Sequence, residues 1–244
     1  MPGSDSEGMH LQASVWGVVP AAGSGARMGG EIPKQYLPLA GKALAEHTLT
    51  ALLAVKGIRE IVVAIAPADS HWSKLPAPMR SRVRVVDGGP MRAVSVLNAL
   101  RGFSVTPHPD DWVLVHDMAR PCVRPERIAA MVRELAGDAV GGLLAVPLAD
   151  TLKRADGAQR VTATLGREAL WRAQTPQMFR FGLLQRALDE ALDAGVEATD
   201  EAMAIERLGL RPRLLLGSED NIKVTRPEDV PLAEFHLNRY GVQR

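Results

Sequence analysis

Four clusters of residues have the types and spacings that chemistry needs. The first follows a short apolar run, Val15–Pro20, and reads PAAGSGARMGGEIPKQYL from Pro20 to Leu37. Gly23 and Gly25 let backbone N–H groups approach an anion closely, and Arg27 and Lys34 add two cations. A triphosphate needs both, so this loop reads as the phosphate site of a nucleotide. Two rival loops fail on spacing. A dinucleotide fingerprint wants a third glycine where Met28 stands, with Gly29 one residue late. A Walker A loop wants Gly-Lys-Ser/Thr, but Lys34 follows Pro33. Gly41-Lys42 is followed by Ala43, with Tyr36 where the first glycine belongs. An NAD-type oxidoreductase is disfavoured on the same ground.

The second cluster is VLVHDMARP, Val113 to Pro121. A lone aspartate after an apolar strand is placed to coordinate a hard cation through oxygen, so Asp117 is the expected Mg²⁺ ligand. Arg120, three residues on, can hold a phosphate bidentately. His116 reads as structural rather than as a general base. The third cluster, Val85 to Leu100, turns on Gly88-Gly89 into a helix that carries Ser95. A helix N-terminus favours an anion or a polar base edge, although Ser95 by itself reads as a solvated helix residue. The fourth, SEDNIKVTRPED from Ser218 to Asp229, sets Asp220 and Lys223 around a short strand. Asp220 is a second candidate metal ligand. On residue types alone, this stretch reads as a mixed-charge surface loop.

Elements must hold these clusters in place. Strands are expected at Val15–Pro20, Arg59–Ala66, Arg82–Val86, Trp112–His116 and Gly142–Val146, with strand-like pieces at Arg213–Leu216 and Asn221–Val224. Helices are expected at Gly41–Val55, Ala93–Leu100, Pro125–Leu135, Phe181–Ala194, Thr199–Leu208 and Pro227–Leu237. This alternation predicts an α/β, Rossmann-like, open and mostly parallel sheet with helices on both faces. Ligands of such sheets bind at the carboxyl ends of strands, where the Gly-rich loop begins. The pattern breaks over Leu148–Trp171, which is polar and carries Thr151, Lys153, Arg154 and Arg160. That stretch reads as a protruding β-arm. An arm with little core of its own needs a partner surface, so a homodimer is expected through residues 148–171.

Bulk composition excludes several classes. A net charge of +1 provides no basic field for nucleic acid or a membrane surface, and 4% aromatic residues provide few base-stacking platforms. A single cysteine, Cys122, rules out an internal disulfide and suggests a reducing, cytoplasmic compartment. Residues 1–13 read as a disordered tail, without the charged and apolar regions of a secretory signal. Residues 14–240 read as one domain.

PAAGSGARM followed by PKQYL resembles the nucleotide loop of the 2-C-methyl-D-erythritol 4-phosphate cytidylyltransferases of the non-mevalonate isoprenoid pathway. QTPQMF, ATDEA and NIKVTRP follow in the family's order and spacing, and the resemblance runs from about Val15 to Tyr240. It implies CTP as donor, 2-C-methyl-D-erythritol 4-phosphate as acceptor, Mg²⁺ as cofactor, release of pyrophosphate, and a homodimer built through an arm. It implies nucleotide contacts from Pro20, Ala21, Ala22, Gly23, Gly25 and Asp117, with Gly88 and Ser95 at the cytosine and ribose. It implies Arg27, Lys34 and Lys223 as the catalytic cations. Thr151 and Arg167 would reach the acceptor phosphate from the neighbouring subunit, and Arg120, Thr175 and Thr199 would complete that side. Three departures mark this chain: Pro90-Met91 where many relatives are polar or acidic, Met118 for the usual alanine, and Gly166 for an aspartate common before the arm arginine. The nearest rival keeps the chemistry and changes the acceptor to ribitol 5-phosphate or a similar polyol phosphate. A non-catalytic nucleotide-binding regulator is a rival of another class. It should lack the metal aspartate or a phosphate cation, and Asp117, Arg27, Lys34 and Lys223 are all present.

Overall fold

The computed structural model describes residues 13–23 and 32–239. Apart from Ala13, the expected tail lies outside the described residues, as does Tyr240. Eleven strands are described: β1 Val15–Ala21, β2 Pro38–Leu39, β3 Lys42–Ala43, β4 Ile58–Ile65, β5 Arg84–Asp87, β6 Trp112–Val115, β7 Gly141–Pro147, β8 Leu152–Ala155, β9 Val161–Leu165, β10 Trp171–Arg180 and β11 Arg213–Leu216. The helices are α1 Leu44–Leu53, α2 Ala77–Arg80, α3 Arg92–Arg101, α4 Pro125–Leu135, α5 Phe181–Asp193, α6 Glu201–Arg207 and α7 Asp229–Arg239.

The central sheet has the order β11-β7-β10-β6-β1-β4-β5. Every neighbouring pair is parallel except the two made by β10, which runs antiparallel between β6 and β7. The short apolar runs of the sequence are buried on both faces because successive strand residues point to opposite sides. Val19, Val63 and Leu114 face one layer with Leu49 and Leu52 of α1 and Ile128 and Met131 of α4. Their neighbours Val18, Val62 and Val113 face the other, with Val96 and Leu97 of α3, Leu184 of α5 and Ile205 of α6. The expected mostly parallel sheet, covered by helices on both faces, is what the chain forms.

Four expectations change. Gly41–Val55 is not one helix: Ala40 and Gly41 turn with positive φ, β2 pairs antiparallel with β3, and α1 starts at Leu44. The Ala43 N–H donates to Glu46 Oε1 at 2.9 Å and fixes that start. Asn221–Val224 pairs in no ladder; single hydrogen bonds tie it to the fold, among them the Val224 N–H donated to Ala119 O at 2.8 Å and Asn221 Nδ2 donated to Thr175 O at 2.8 Å. Residues 199–200 precede α6 rather than belong to it, because Asp200 is the N-cap and accepts the Met203 N–H at 2.9 Å. The fourth is β10, which the apolar pattern did not disclose. Its inward polar residues Gln174, Thr175 and Gln177 are buried with hydrogen-bond partners, so the strand lacks an apolar signature.

β8 and β9 pair as a two-stranded sheet of their own, from Leu152 opposite Leu165 to Ala155 opposite Val161. Its side chains are largely exposed, with Val161 at 64%.

Candidate active site

β1 sits at the middle of the sheet, with β4 on one side and β6 on the other. This is a topological switch point, and the carboxyl ends of strands there open a crevice. Three of the clusters meet at it. Pro20–Gly23 leaves β1, Asp117 follows β6, and Gly88-Gly89 follows β5. Pro20–Gly23, Gly89, Asp117, Lys34 and Lys223 line one cavity, and Gly88 lies outside that lining.

Asp117 is the hub. Its Oδ1 accepts from Arg92 Nε at 3.1 Å and Nη2 at 3.0 Å, and its Oδ2 lies 2.7 Å from Lys223 Nζ. Arg120 Nε stands farther off, at 3.9 Å from Oδ2. Burial alone would raise the carboxyl's pKa. The charges of Arg92, Lys223 and Arg120 outweigh that and hold it well below the usual carboxylate range. Asp117 is therefore ionised at neutral pH.

The main chain beneath it is pinned as well. The Asp117 N–H donates to Thr175 Oγ1 at 3.0 Å. His116, fully buried, has Nε2 3.2 Å from Arg120 O and Nδ1 3.0 Å from Thr175 Oγ1. A carbonyl only accepts, so Nε2 carries the proton and Nδ1 accepts from the Thr175 hydroxyl. Burial pushes the His116 pKa down to about 4, so the ring is neutral at pH 7. This is a structural histidine.

The Gly88-Gly89 turn is built by close approach. A Cβ on Gly88 would lie 2.4 Å from Ala22 Cβ and 3.1 Å from Ile65 O. The Gly88 N–H donates to that same Ile65 oxygen at 2.7 Å. The Gly89 N–H donates to Ser95 Oγ at 3.0 Å, so the Ser95 hydroxyl shapes the turn from the cavity wall. Lys34 Nζ reaches Val224 O at 3.4 Å, and Gln35 Nε2 donates to Ala21 O at 2.9 Å. The segment after the loop thus clamps both β1 and the Lys223 stretch.

The remaining expected residues fall elsewhere. Gly25 and Arg27 lie outside the described residues. Arg120 is 9% exposed and does not line the cavity; it donates to Asn221 O at 2.7 Å and to Ala173 O at 3.4 Å. In this chain it braces the site rather than presenting an open fork. Thr175 is likewise buried beneath Asp117. Asp220 does not join Asp117 as a second cavity carboxylate: Arg124 Nη2 lies 2.6 Å from Oδ2 and His236 Nδ1 3.2 Å from Oδ1. Thr151, Arg167 and Thr199 are exposed and are not brought to the cavity within one chain. Arg167 donates to Ala149 O, and Thr199 turns its hydroxyl toward Met203 Sδ.

Two residues of the site have no role in the sequence expectations, although Arg92 is retained in the motif that resembles the family. Arg92 opens α3 and carries the hydrogen bonds to Asp117. Glu201 is 0% exposed and takes the other side of the same guanidinium, Oε2 accepting from Nη2 at 3.0 Å and Oε1 from Nη1. Burial would penalise the Arg92 charge, but Glu201 and Asp117 more than offset it and raise the guanidinium's pKa. An arginine after a Gly-Gly turn and a glutamate after an N-cap are the available signals, and both read equally well as helix-end charges.

An ionised carboxylate ringed by cations, in a cavity at the switch point of a doubly wound sheet, sits where α/β proteins of this class bind their ligands. The family model for 2-C-methyl-D-erythritol 4-phosphate cytidylyltransferase matches residues 15–239. A protein of that name from Azoarcus sp. (strain BH72) is 56% identical, the match covering 93% of this chain and 96% of the relative. One from Hahella chejuensis is 50% identical over 92% of this chain and 93% of its own length. The crystal structure of the Francisella tularensis 2-C-methyl-D-erythritol 4-phosphate cytidylyltransferase superposes with a TM-score of 0.80 at 34% identity, covering 92% of this chain and all of the other. The Thermus thermophilus structure gives 0.75 at 32%, over 92% and 98%. The chain belongs to the 2-C-methyl-D-erythritol 4-phosphate cytidylyltransferase family, and it is a CTP-dependent nucleotidyltransferase of isoprenoid biosynthesis.

Proposed function

We propose that the Asp117 cavity is where this chain joins the cytidylyl group of CTP to 2-C-methyl-D-erythritol 4-phosphate. The observation that carries this reading is the ionised Asp117 carboxylate, held by Arg92 and Lys223 where Pro20–Gly23, Gly89 and Lys34 converge. An oxygen of the acceptor phosphate attacks the α-phosphorus of CTP in line. The new bond is that O–P bond, and the bond to the bridging oxygen breaks, so the electron pair leaves with pyrophosphate. The attacking phosphate is already ionised at neutral pH, so no strong base is required and positioning and charge stabilisation carry the rate. Lys34, Lys223 and Arg27 neutralise charge that develops on the α-phosphoryl and leaving groups. Pro20–Gly23 and Gly25 face the phosphates, and Gly88 and Ser95 set the wall against which the base and ribose rest.

Magnesium is held commonly by one or two carboxylates, with water and substrate phosphates filling the rest of its octahedron. Asp117 fits that role as a single carboxylate. Among the described residues no group of three or more His, Cys, Asp or Glu side chains forms an all-protein cage. When bound, the ion would neutralise phosphate charge next to Asp117.

The exposed β8–β9 hairpin supports a homodimer in which Thr151 and Arg167 serve the partner's acceptor phosphate, with Thr199 on the same side. No helix among the described residues is long and apolar enough to cross a membrane, and the lone Cys122 is buried, which fits an enzyme of the cytoplasm. Pyrophosphate release tests the acceptor. With CTP and Mg²⁺ it should need 2-C-methyl-D-erythritol 4-phosphate, and ribitol 5-phosphate should support little. Equal release with ribitol 5-phosphate would overturn that choice, for which the relatives' names are the support.

A further inference from the structure

A carboxylate removed from water is costly unless it is paired and hydrogen-bonded, and Glu201 is completely buried. Both of its oxygens are spent on one guanidinium, Arg92, in a two-pronged grip. The remaining face of that guanidinium, Nε and Nη2, holds Asp117 Oδ1. Arg92 is thus a planar bridge between a carboxylate in the core and the carboxylate of the cavity. A planar fork with both sides occupied cannot rotate without breaking one of them.

The start of α6 does not need Glu201 for its own order. Asp200 caps it, Gln177 Nε2 donates to Asp200 Oδ2 at 2.9 Å, and the Ala202 N–H donates to Gln177 Oε1 at 2.8 Å. These bonds lock residues 200–202 onto β10 on either side of Glu201. Glu201 is therefore delivered at a fixed height beneath Arg92, and its described hydrogen bonds all go there.

We infer that Glu201 is a positioning residue for the transfer reaction: by gripping Arg92 it fixes the orientation of the Asp117 carboxylate toward the nucleotide cavity. This rests on the reading of Asp117 as the carboxylate that meets the metal–nucleotide complex. Replacing Glu201 by glutamine puts an NH₂ group against guanidinium N–H donors. Arg92 must then turn, and Asp117 Oδ1 loses both of its hydrogen bonds. Partners that orient a metal-binding side chain are commonly worth about 10- to 100-fold in affinity or activity.

The test is Mn²⁺ binding to the enzyme with CTP and no acceptor, followed by water-proton relaxation, so that no turnover enters the readout. Glu201→Gln should weaken binding about tenfold and lower kcat more than it raises the KM for CTP. Glu206→Gly, which weakens α6 at an exposed position, should bind Mn²⁺ as the parent does. Should Glu201→Gln fail to fold, Glu201→Asp serves instead, since it keeps the charge but withdraws it by one methylene. Parental binding in the Glu201 variant, alongside weakened binding in Asp117→Asn, would overturn the inference alone. Equal weakening in the Glu201 and Glu206 variants would overturn it too, showing only a general role of α6. Parental binding in Asp117→Asn would instead sink the reading of Asp117 on which the inference stands.

Discussion

Lys223 Nζ lies 2.7 Å from Asp117 Oδ2 and so ties the segment before α7 to the loop after β6. The pair closes one side of the cavity, and Lys34 reaches the same segment at Val224 O. Lys34, far off in sequence, thus meets the stretch that carries Lys223.

Lys34→Met and Lys223→Met should each lower turnover by about 10²-fold, the scale of losing one charge-stabilising donor. The double variant should lose less than the product, because both cations serve one phosphate chain. Folding stability should barely change for Lys223→Met, whose side chain is 38% exposed and screened by solvent. Steady-state kinetics checks this, and near-parental kcat in either single variant would remove that lysine from the machinery.

Gly88→Ala should be costly for a steric reason. The added methyl would stand 2.4 Å from Ala22 Cβ and 3.0 Å from Ser95 Oγ, so the turn and β1 must separate. Overpacking of this kind costs about 1–3 kcal/mol. Urea unfolding should show that loss and titration should show weaker CTP binding; unchanged values for both would mean that the turn is looser than described.

His116 makes stability fall in acid. Its folded pKa, about 4, lies below the unfolded value of about 6.5, so the unfolded chain takes up the proton first as pH drops. The stabilisation is complete above pH 6.5 and is lost between there and pH 4, amounting to about 3 kcal/mol. Asp117, whose pKa is also lowered, adds loss in the same direction only at more acid pH. Unfolding midpoints measured from pH 7 to pH 4.5 should slope for the parent and flatten for His116→Gln. Matching slopes would assign the acid sensitivity to other groups.

The full chain should sediment as a dimer, and a chain with residues 152–165 replaced by a short Gly-Ser turn should sediment as a folded monomer. A dimer that survives this replacement would place the interface elsewhere.

Much of this architecture was legible from residues alone, for a physical reason. Strands buried on both faces must be continuous apolar runs, as IVVAI and WVLV are, and amphipathic stretches such as Pro125–Leu135 declare their one buried face. β10 was hidden because burial there is satisfied by hydrogen bonds: Gln174, Thr175 and Gln177 are polar, yet each is less than a tenth exposed. The same cause hid Glu201. Asp117 and Lys34 could be picked out because their types are unusual at a strand end and beside a Gly-rich turn, whereas Lys223 was legible only through the family resemblance. The roles of Arg120 and Thr175 could not, because whether a polar side chain faces a ligand or braces a neighbour depends on packing between distant segments. The same holds for Asp220, whose partners Arg124 and His236 come from the start of α4 and from α7.

In the mechanism proposed above, the Asp117 carboxylate organises the transfer of the cytidylyl group. That role is tested most directly by pyrophosphate release from CTP and 2-C-methyl-D-erythritol 4-phosphate in Mg²⁺, comparing the parent with Asp117→Asn. The substitution keeps the size of the side chain and removes its charge. The account predicts a fall in kcat of about 10²-fold or more with the fold intact. Turnover within a few-fold of the parent would contradict it.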